Sequence, residues 1–347
     1  MEKVEFLVGS EKRFSEFISK LNEKDKIALL THDDLDGVTS GKIVDKVIGI
    51  DVLKIVDYKE LDDSLIEELK KKKITKIIIT DLGLNGDGFV DKLAKFAEIL
   101  MIDHHSFHRD INSDKIVFLN SQKYCAAYMC YYLFSKTQNI EELDWLVACA
   151  CVSDWDFKNN TNFLGETYKK YDDVFAFEGD SVRKSGKIWD LQYNLSLFLI
   201  YFRDDLKKAY ELIPEDYKDL NGISKYSDFV WREITESEKR FDKEKETYGD
   251  IYFWEFNPKF EIKSMVSTEL SVQEKNKTFI IGSFDDKFCL LSARRQDGKV
   301  DAAELLCKLI NGLDCAVAGG HPAAAGGRFL KKDFEEFRRR LKNMSER

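Results

Sequence analysis

"KIALLTHDDLDGVTSGKIVDKVIGI", residues 26–50, decides the fold. It opens with an apolar, strand-like run, KIALLTH, and closes with SGKIVDKVIGI, whose apolar residues recur at helical spacing. Between them His32, Asp33, Asp34 and Asp36 crowd into five positions before the chain turns at Gly37. Like charges this close repel, so the cluster needs a counter-charge. The alternation then continues. DVLKIVDY (51–58), ITKIIITDL (74–82), EILMIDHH (98–105) and KIVFLN (115–120) read as strands. DSLIEELKKKK (63–73), GFVDKLAKFA (88–97), CAAYMCYYLFSKT (125–137) and ELDWLVACACVSD (142–154) read as helices. This order predicts an α/β fold with a mostly parallel sheet flanked by helices.

The polar residues fall at the strand ends. His32, Asp34 and Asp36 follow the first strand, Asp81 the IIIT strand, and Asp103, His104 and His105 the ILMI strand. In open α/β sheets the C-terminal strand edge is where ligands bind. Three of the chain's five histidines lie in these clusters. Each cluster alone has an ordinary reading: Asp81 as a strand-end cap, Asp154 as a helix end, Asp103-His104-His105 as a turn. Converging on one edge, carboxylates and imidazoles bind divalent cations. Oxygen and nitrogen donors without thiolate suit Mn²⁺, with Mg²⁺, Co²⁺ and Zn²⁺ as competitors. The surplus of ligands implies two ions, and a metal pair about 3.5–4 Å apart serves displacement at phosphorus. Two other motifs fail. An EF-hand loop counted from His32 has Ile43 where it needs Glu. GVTSGKI lacks both the spacing and the final hydroxyl of a phosphate loop.

The chain has 347 residues, more than one core usually organises, and 44% of them are apolar. A net charge of −9 is unusual for a protein gripping long nucleic acid, so any grip is a local patch or the substrate is small. The start of the chain has no basic segment leading an apolar one, and the longest apolar run, LSLFLIYF (195–202), is too short to span a bilayer. Cys125, Cys130, Cys149 and Cys151 sit in apolar stretches without a C-x-x-C spacing, which reads as buried reduced thiols. The expectation is a cytoplasmic protein without membrane association. Near the other end, AGGHPAAAGG (318–327) offers Gly319 and Gly320 for close backbone approach to an anion, with His321 as a further donor. Arg294 and Arg328 could pair with phosphate oxygens.

Together these motifs resemble the DHH phosphoesterase superfamily. HDDLDG (32–37) looks like its first motif, TDLG (80–83) its second, DHH (103–105) the motif that names it, and VSDWD (152–156) its fourth. AGGHPAAAGG, preceded by LSARRQ (291–296), is similar to the glycine-histidine loop of the DHH-associated C-terminal domain, with Arg295 in place of the usual second serine. The D-x-D-G of Asp34 to Gly37 is RecJ-like. Family II pyrophosphatases and nanoligoribonucleases carry a further aspartate where Val38 stands here.

The resemblance implies a DHH metal-binding domain over 1–160, a helical connector or insertion over 161–245, and a smaller α/β substrate-binding domain over 246–347, with the active-site cleft between domains. It implies Asp34, Asp36, Asp81, His104 and Asp154 as metal ligands, with His32 as a further one and Asp81 reaching both ions. It implies His105 facing the scissile phosphate, Asp103 orienting the histidines, and Arg294, Gly319, Gly320, His321 and Arg328 binding substrate. The implied activity is a RecJ-like, Mn²⁺-dependent exonuclease on single-stranded DNA or RNA or short oligonucleotides. The alternatives are a small-nucleotide phosphodiesterase for cyclic dinucleotides or phosphoadenosine phosphate, and a non-catalytic replication scaffold. Replication or repair proteins would be its partners.

Overall fold

Neighbouring residues of the IIIT strand point into two different cores. Ile78 packs on one face with Leu29, Leu100 and Ile102, while Ile77 and Ile79 pack on the other with Ala28, Leu30 and Met101. The computed structural model describes residues 1–84 and 88–345, and the chain divides into two compact units, Met1–Ser227 and Asp228–Arg347.

In the first unit, helix α1 (Glu11–Ser19) precedes β1 (Ile27–His32), α2 (Leu35–Ile48), β2 (Val52–Val56), α3 (Asp63–Lys71), β3 (Lys76–Thr80), α4 (Phe89–Leu93), β4 (Glu98–Asp103) and β5 (Ile116–Asn120). The five strands are all parallel, in the order β2-β1-β3-β4-β5. The chain leaves β1 toward β2 and returns to the other side of β1 as β3, so the topological switch point lies between β1 and β3. That is the edge where Asp34, Asp36 and Asp81 emerge.

Helices α5 (Ala126–Phe134) and α6 (Asp144–Ser153) follow; every residue of α5 is buried, as are Trp145 to Val152 of α6. A helix apolar all round must be enclosed, and here α2 and later helices enclose them. The cysteines at 125, 130, 149 and 151 are free and buried within this layer. The remaining elements are α7 (Thr161–Lys170), a short hairpin of β6 (Phe177–Glu178) and β7 (Ser181–Val182), α8 (Lys187–Tyr201) and α9 (Leu206–Leu212). Phe163, Leu164, Tyr168, Ile188, Leu195 and Phe198 from this segment are buried in the same core as α2, α5 and α6. Residues 161–227, read from sequence as connector, are thus part of the first unit. Their charged outer face hides an apolar inner one. The chain breaks at Phe202–Asp205 between α8 and α9.

Helix α10 (Ser224–Glu244) leads into the second unit, with β8 (Glu246–Tyr248), β9 (Ile251–Glu255), α11 (Lys263–Gln273), β10 (Thr278–Phe284), β11 (Phe288–Arg294), α12 (Ala302–Ile310), β12 (Val317–His321), β13 (Ala324–Leu330) and α13 (Phe334–Ser345). Its six strands run β12-β13-β11-β10-β9-β8, antiparallel except for β9 with β10. Among the described residues no helix is long and apolar enough to cross a membrane.

The shared core sets the smallest piece that folds. A fragment of residues 1–227 should show a cooperative thermal transition. A fragment of residues 1–160 should not, because it leaves the partners of Phe163, Tyr168 and Phe198 exposed. Circular dichroism melts of the two check this, and a cooperative melt for residues 1–160 would refute the core assignment.

Candidate metal centre

The loop after β1 is shaped by a close approach. A Cβ on Gly37 would lie 2.4 Å from the His32 carbonyl oxygen, so only glycine lets the first turn of α2 fold back on the strand end. Two buried hydroxyls tie the layers there. Thr80 Oγ1 donates to Thr31 Oγ1 at 2.8 Å, and Thr31 Oγ1 donates to the Gly37 carbonyl at 2.5 Å. Asp34 caps α2, accepting from Gly37 N at 3.0 Å. Asp36, in the first turn of α2, is buried, and its two oxygens accept from Ala126 N at 2.8 Å and Ala127 N at 2.7 Å. The N-terminus of α5 thus holds one carboxylate of the cluster, as a helix N-terminus holds any anion.

Asp81 follows β3 with φ of 58°, a left-handed conformation that aspartate tolerates better than most residues. Its side chain lies between the other groups. His32 Nδ1 is 3.6 Å from Asp81 Oδ2 and 2.9 Å from Asp34 Oδ2. On the other side, His104 Nε2 is 3.3 Å from Asp81 Oδ1 and 3.9 Å from Asp36 Oδ2, while His104 Nδ1 is 3.5 Å from Asp154 Oδ2. Two ligand groups result, His32-Asp34-Asp81 and Asp36-His104-Asp154, each with donor atoms within 4.8 Å of one another; Asp81, His104 and His105 form another. All six residues expected as ligands therefore meet, His32 included.

His105 differs from its neighbour. Its Nδ1 lies 2.7 Å from Asp103 Oδ1. That bond, acting against burial, raises the His105 pKa. Asp103 is paired with His105 rather than with both histidines.

The electrostatics follow from crowding carboxylates into a buried space. Burial, then repulsion from Asp36 and Asp34, raises the Asp81 pKa well above the carboxylate range. Burial first and Asp36 second push Asp154 up to about 8, and burial raises Asp36 as well. Asp34 is the exception. Desolvation opposes its ionisation, but His32 and Gly37 N outweigh that and hold it at about 2. Among the described residues, both oxygens of Asp81, 1% exposed, and His32 Nδ1 make no well-aligned hydrogen bond, close as the neighbouring imidazole and carboxylate atoms are. Buried polar atoms are normally satisfied, and a divalent cation on each side of Asp81 would satisfy these. The donors are oxygen and imidazole nitrogen, so the residues fit such ions.

Sequence reasoning passed over several supporting residues. Asp33, inside the quoted cluster, takes Arg203 Nη1 at 2.5 Å on Oδ2 and has Oδ1 3.6 Å from His32 Nε2, so the imidazole is held from outside. Arg203, in the α8–α9 break, gave no local signal. Asp156, inside VSDWD, accepts from Cys125 N at 2.6 Å and so caps α5 beside Asp36. Cys125 and Cys151 lie 3.8 Å apart at their sulfurs near Asp156, and burial raises both thiol pKa values, which keeps them protonated packing groups.

In the second unit the glycine-histidine loop is a β-hairpin rather than a turn between strand and helix, with β12 at the sheet edge. Arg294, Ala324 and His321 stand opposite one another across β11, β13 and β12, and Ser292, Gly326 and Gly319 form the row two residues on, on the same face of the sheet. Arg294 is steadied by Ser264 Oγ at 3.0 Å and Thr268 Oγ1 at 3.3 Å, and the Arg328 guanidinium lies 5.0 Å from the Phe288 ring centroid. The two glycines differ. A Cβ on Gly320 would meet Ala324 O at 2.4 Å, so Gly320 is needed for the hairpin itself, whereas a Cβ on Gly319 would meet nothing within 4 Å. Arg295 is structural, paired with Asp297 at 2.8 Å and Asp250 at 2.7 Å.

The shifted groups make metal binding pH-dependent. Carboxylates with raised folded-state pKa favour the fold when protonated, and that stability is lost as pH rises through about 8 for Asp154. His104 and His105, also raised, act in the same direction: their stability is present below the unfolded value and is lost as pH rises through the folded one. The chelated protein should melt lower at pH 8.5 than at pH 6, and the gain from added Mn²⁺ should be larger at pH 8.5, because binding releases protons. Melts in EDTA and in Mn²⁺ at both pH values check this; a gain independent of pH contradicts it.

No known family profile and no curated protein matches the chain. Solved structures do. Exonuclease RecJ bound to manganese aligns with TM-score 0.73 at 13% identity, over 100% of this chain and 96% of that one. RecJ from Thermus thermophilus with Mn²⁺ aligns with TM-score 0.70 at 13% identity; the alignment covers 96% of this chain and 54% of that one, so the chain spans about half its length. CDC45 from Entamoeba histolytica aligns at TM-score 0.59 and 10% identity over 97% and 99% of the two chains. A pGpG-specific phosphodiesterase from Vibrio cholerae aligns at 0.52 and 14% over 92% and 99%. With the DHH triplet at 103–105 on the edge of a parallel sheet and a second, smaller unit built on its own six-stranded sheet, the chain has the fold of the RecJ-type DHH proteins.

Proposed function

We infer that this chain is a divalent-metal-dependent phosphodiesterase, RecJ-like, that trims single-stranded DNA or RNA, or short oligonucleotides, from an end to mononucleotides. One observation carries the reading: a buried Asp81 carboxylate that makes no well-aligned hydrogen bond among the described residues and has a ligand group on each side. Two cations bound there would supply positive charge to phosphate oxygens and make water acidic enough to attack at neutral pH. Mn²⁺ suits the donors best, with Mg²⁺ or Co²⁺ as substitutes.

The chain's own residues do the rest. His32, Asp34 and Asp81 would hold one ion, and Asp36, His104 and Asp154, with Asp81, the other. Asp33, braced by Arg203, fixes the His32 ring, the outer partner that metal-bound histidines commonly have. Asp103 holds His105 through Nδ1, which leaves Nε2 to donate to a phosphate oxygen as charge builds. In the second unit, Arg294, His321, Arg328 and the backbone at Gly319 and Gly320 contact substrate phosphates. No side-chain nucleophile is required.

A second reading is a small-nucleotide phosphodiesterase, favoured by the likeness to the pGpG-specific enzyme and by the net charge of −9. The CDC45 likeness raises a non-catalytic role in a replication assembly, against which the complete ligand set argues. Hydrolysis with Mn²⁺ of labelled DNA and RNA strands, dinucleotides, cyclic dinucleotides and phosphoadenosine phosphate separates these. Progressive release of mononucleotides supports the first reading, cleavage of the small compounds alone the second, and inactivity on all of them the third.

Replacing Asp81 should have opposite effects with and without metal. Asp81→Asn removes a buried, repelled charge, so the chelated variant should melt at or above the wild type. With Mn²⁺ it should lose at least one ion and more than about a hundred-fold in kcat, since outer partners of metal ligands alone cost 10–100-fold. Metal content, melts and turnover decide it; wild-type occupancy and turnover together would exclude the bridging role.

The two histidines should fail differently. His104→Ala should weaken metal binding, whereas His105→Ala should keep both ions and lower kcat by about a hundred-fold. Titration calorimetry with Mn²⁺ alongside kinetics distinguishes them. If both variants bind metal like wild type, His104 is not a ligand.

A further inference from the structure

Helix α6 ends in an unusual way. Asp156 N donates to Cys151 O at 2.9 Å and Trp155 N to Val152 O at 3.4 Å, the pair of bonds that closes a helix when the residue after its cap turns left-handed. That position normally belongs to glycine. Here it is Trp155, with φ of 58°. A bulky residue in this region is strained. Burial does not offset the strain, because Trp155 is 60% exposed. The turn itself is needed: Asp154 before it faces His104, and Asp156 after it caps α5. Nothing in the turn requires tryptophan.

The ring stands among aromatic and cationic neighbours. Its centroid is 6.0 Å from that of Phe157, which lies 5.9 Å from Phe177, itself 45% exposed on the β6–β7 hairpin. Lys184 Nζ lies 5.8 Å from the Trp155 centroid and 5.9 Å from that of Trp189. An exposed indole with an ammonium beside it, one residue from a metal-facing carboxylate, matches what a flexible nucleotide chain presents: a flat base next to a phosphate. Proteins that hold single strands combine such stacking surfaces with basic groups.

We propose that Trp155 is a stacking platform for a nucleobase of the substrate, with Lys184 at the adjoining phosphate. This rests on the phosphodiesterase reading and narrows it to substrates that carry a base next to the cleaved bond. It also gives the segment 161–227 a part in substrate binding, through Lys184.

The test uses full-length Trp155→Ala, Trp155→Phe and Trp155→Gly, with short oligothymidylates and matched strands carrying one abasic position. Hydrolysis is followed with Mn²⁺, and binding by anisotropy with Ca²⁺. Trp155→Ala and Trp155→Gly should raise KM and Kd about five-fold or more, with kcat little changed. Trp155→Phe should retain most of the affinity. Trp155→Gly should melt higher than wild type, since glycine accepts the turn without strain. An abasic position over the platform should erase the difference between wild type and Trp155→Ala. Unchanged KM and Kd in all variants, or an equal loss on every abasic strand, overturns the proposal. If the wild type binds strands in a Trp155-dependent way but cleaves none, the platform stands and the phosphodiesterase reading falls. If it neither binds nor cleaves them, both fall.

Discussion

The Asp81 carboxylate is the constraint on which the rest of this structure depends. It is buried at the β1/β3 switch point, with Asp36, Asp34 and Asp154 facing the same space. An uncompensated buried charge costs on the order of several kcal/mol, and several together would drive the loop apart. The fold keeps them assembled through groups that tolerate or favour anions: the α5 amides on Asp36, the α2 amide on Asp34, and the imidazoles of His32 and His104 on either side. Their balance is completed only by cations.

Much of the surrounding architecture follows from that. Helix α5 is buried throughout, so its N-terminal amides would be orphaned unless something polar reached them. Asp36 and Asp156 do so from two directions, which locks the end of α6, and with it Asp154, beside the sheet edge. Packing and site are one arrangement here: the capping bonds of an apolar helix are also the bonds that orient two of the carboxylates.

Two of the left-handed non-glycine residues stand beside the charge cluster. Asp81 and Trp155 both adopt left-handed backbone, each beside groups of the cluster. Aspartate accepts that conformation at modest cost, tryptophan does not, and the difference distinguishes a residue that must be where it is for geometry from one whose ring earns its place outside the fold.

The sequence by itself determined the parallel sheet and the meeting of its motifs. Apolar runs such as IIIT admit only a strand buried on both faces, and such strands must all deliver their C-terminal residues to one edge. That is why His32, Asp34, Asp36, Asp81 and His104 were legible together, whereas Asp154, at the end of α6, joined them only through the resemblance to the DHH superfamily. What the tertiary structure alone decided lies where local pattern carries no information about the partner. Residues 161–227 read as a charged connector because their polar face dominates the composition; their apolar face becomes visible only against α2, α5 and α6. Arg203 reaches Asp33 from a helix break about 170 residues away, and Gly320 is tied to its hairpin while a Cβ on Gly319 would meet nothing within 4 Å among the described residues. Spacing along a strand or helix is set by backbone geometry and can be read from one segment. The neighbour that pairs a charge or blocks a Cβ is set by packing between distant segments, and only the folded chain contains it.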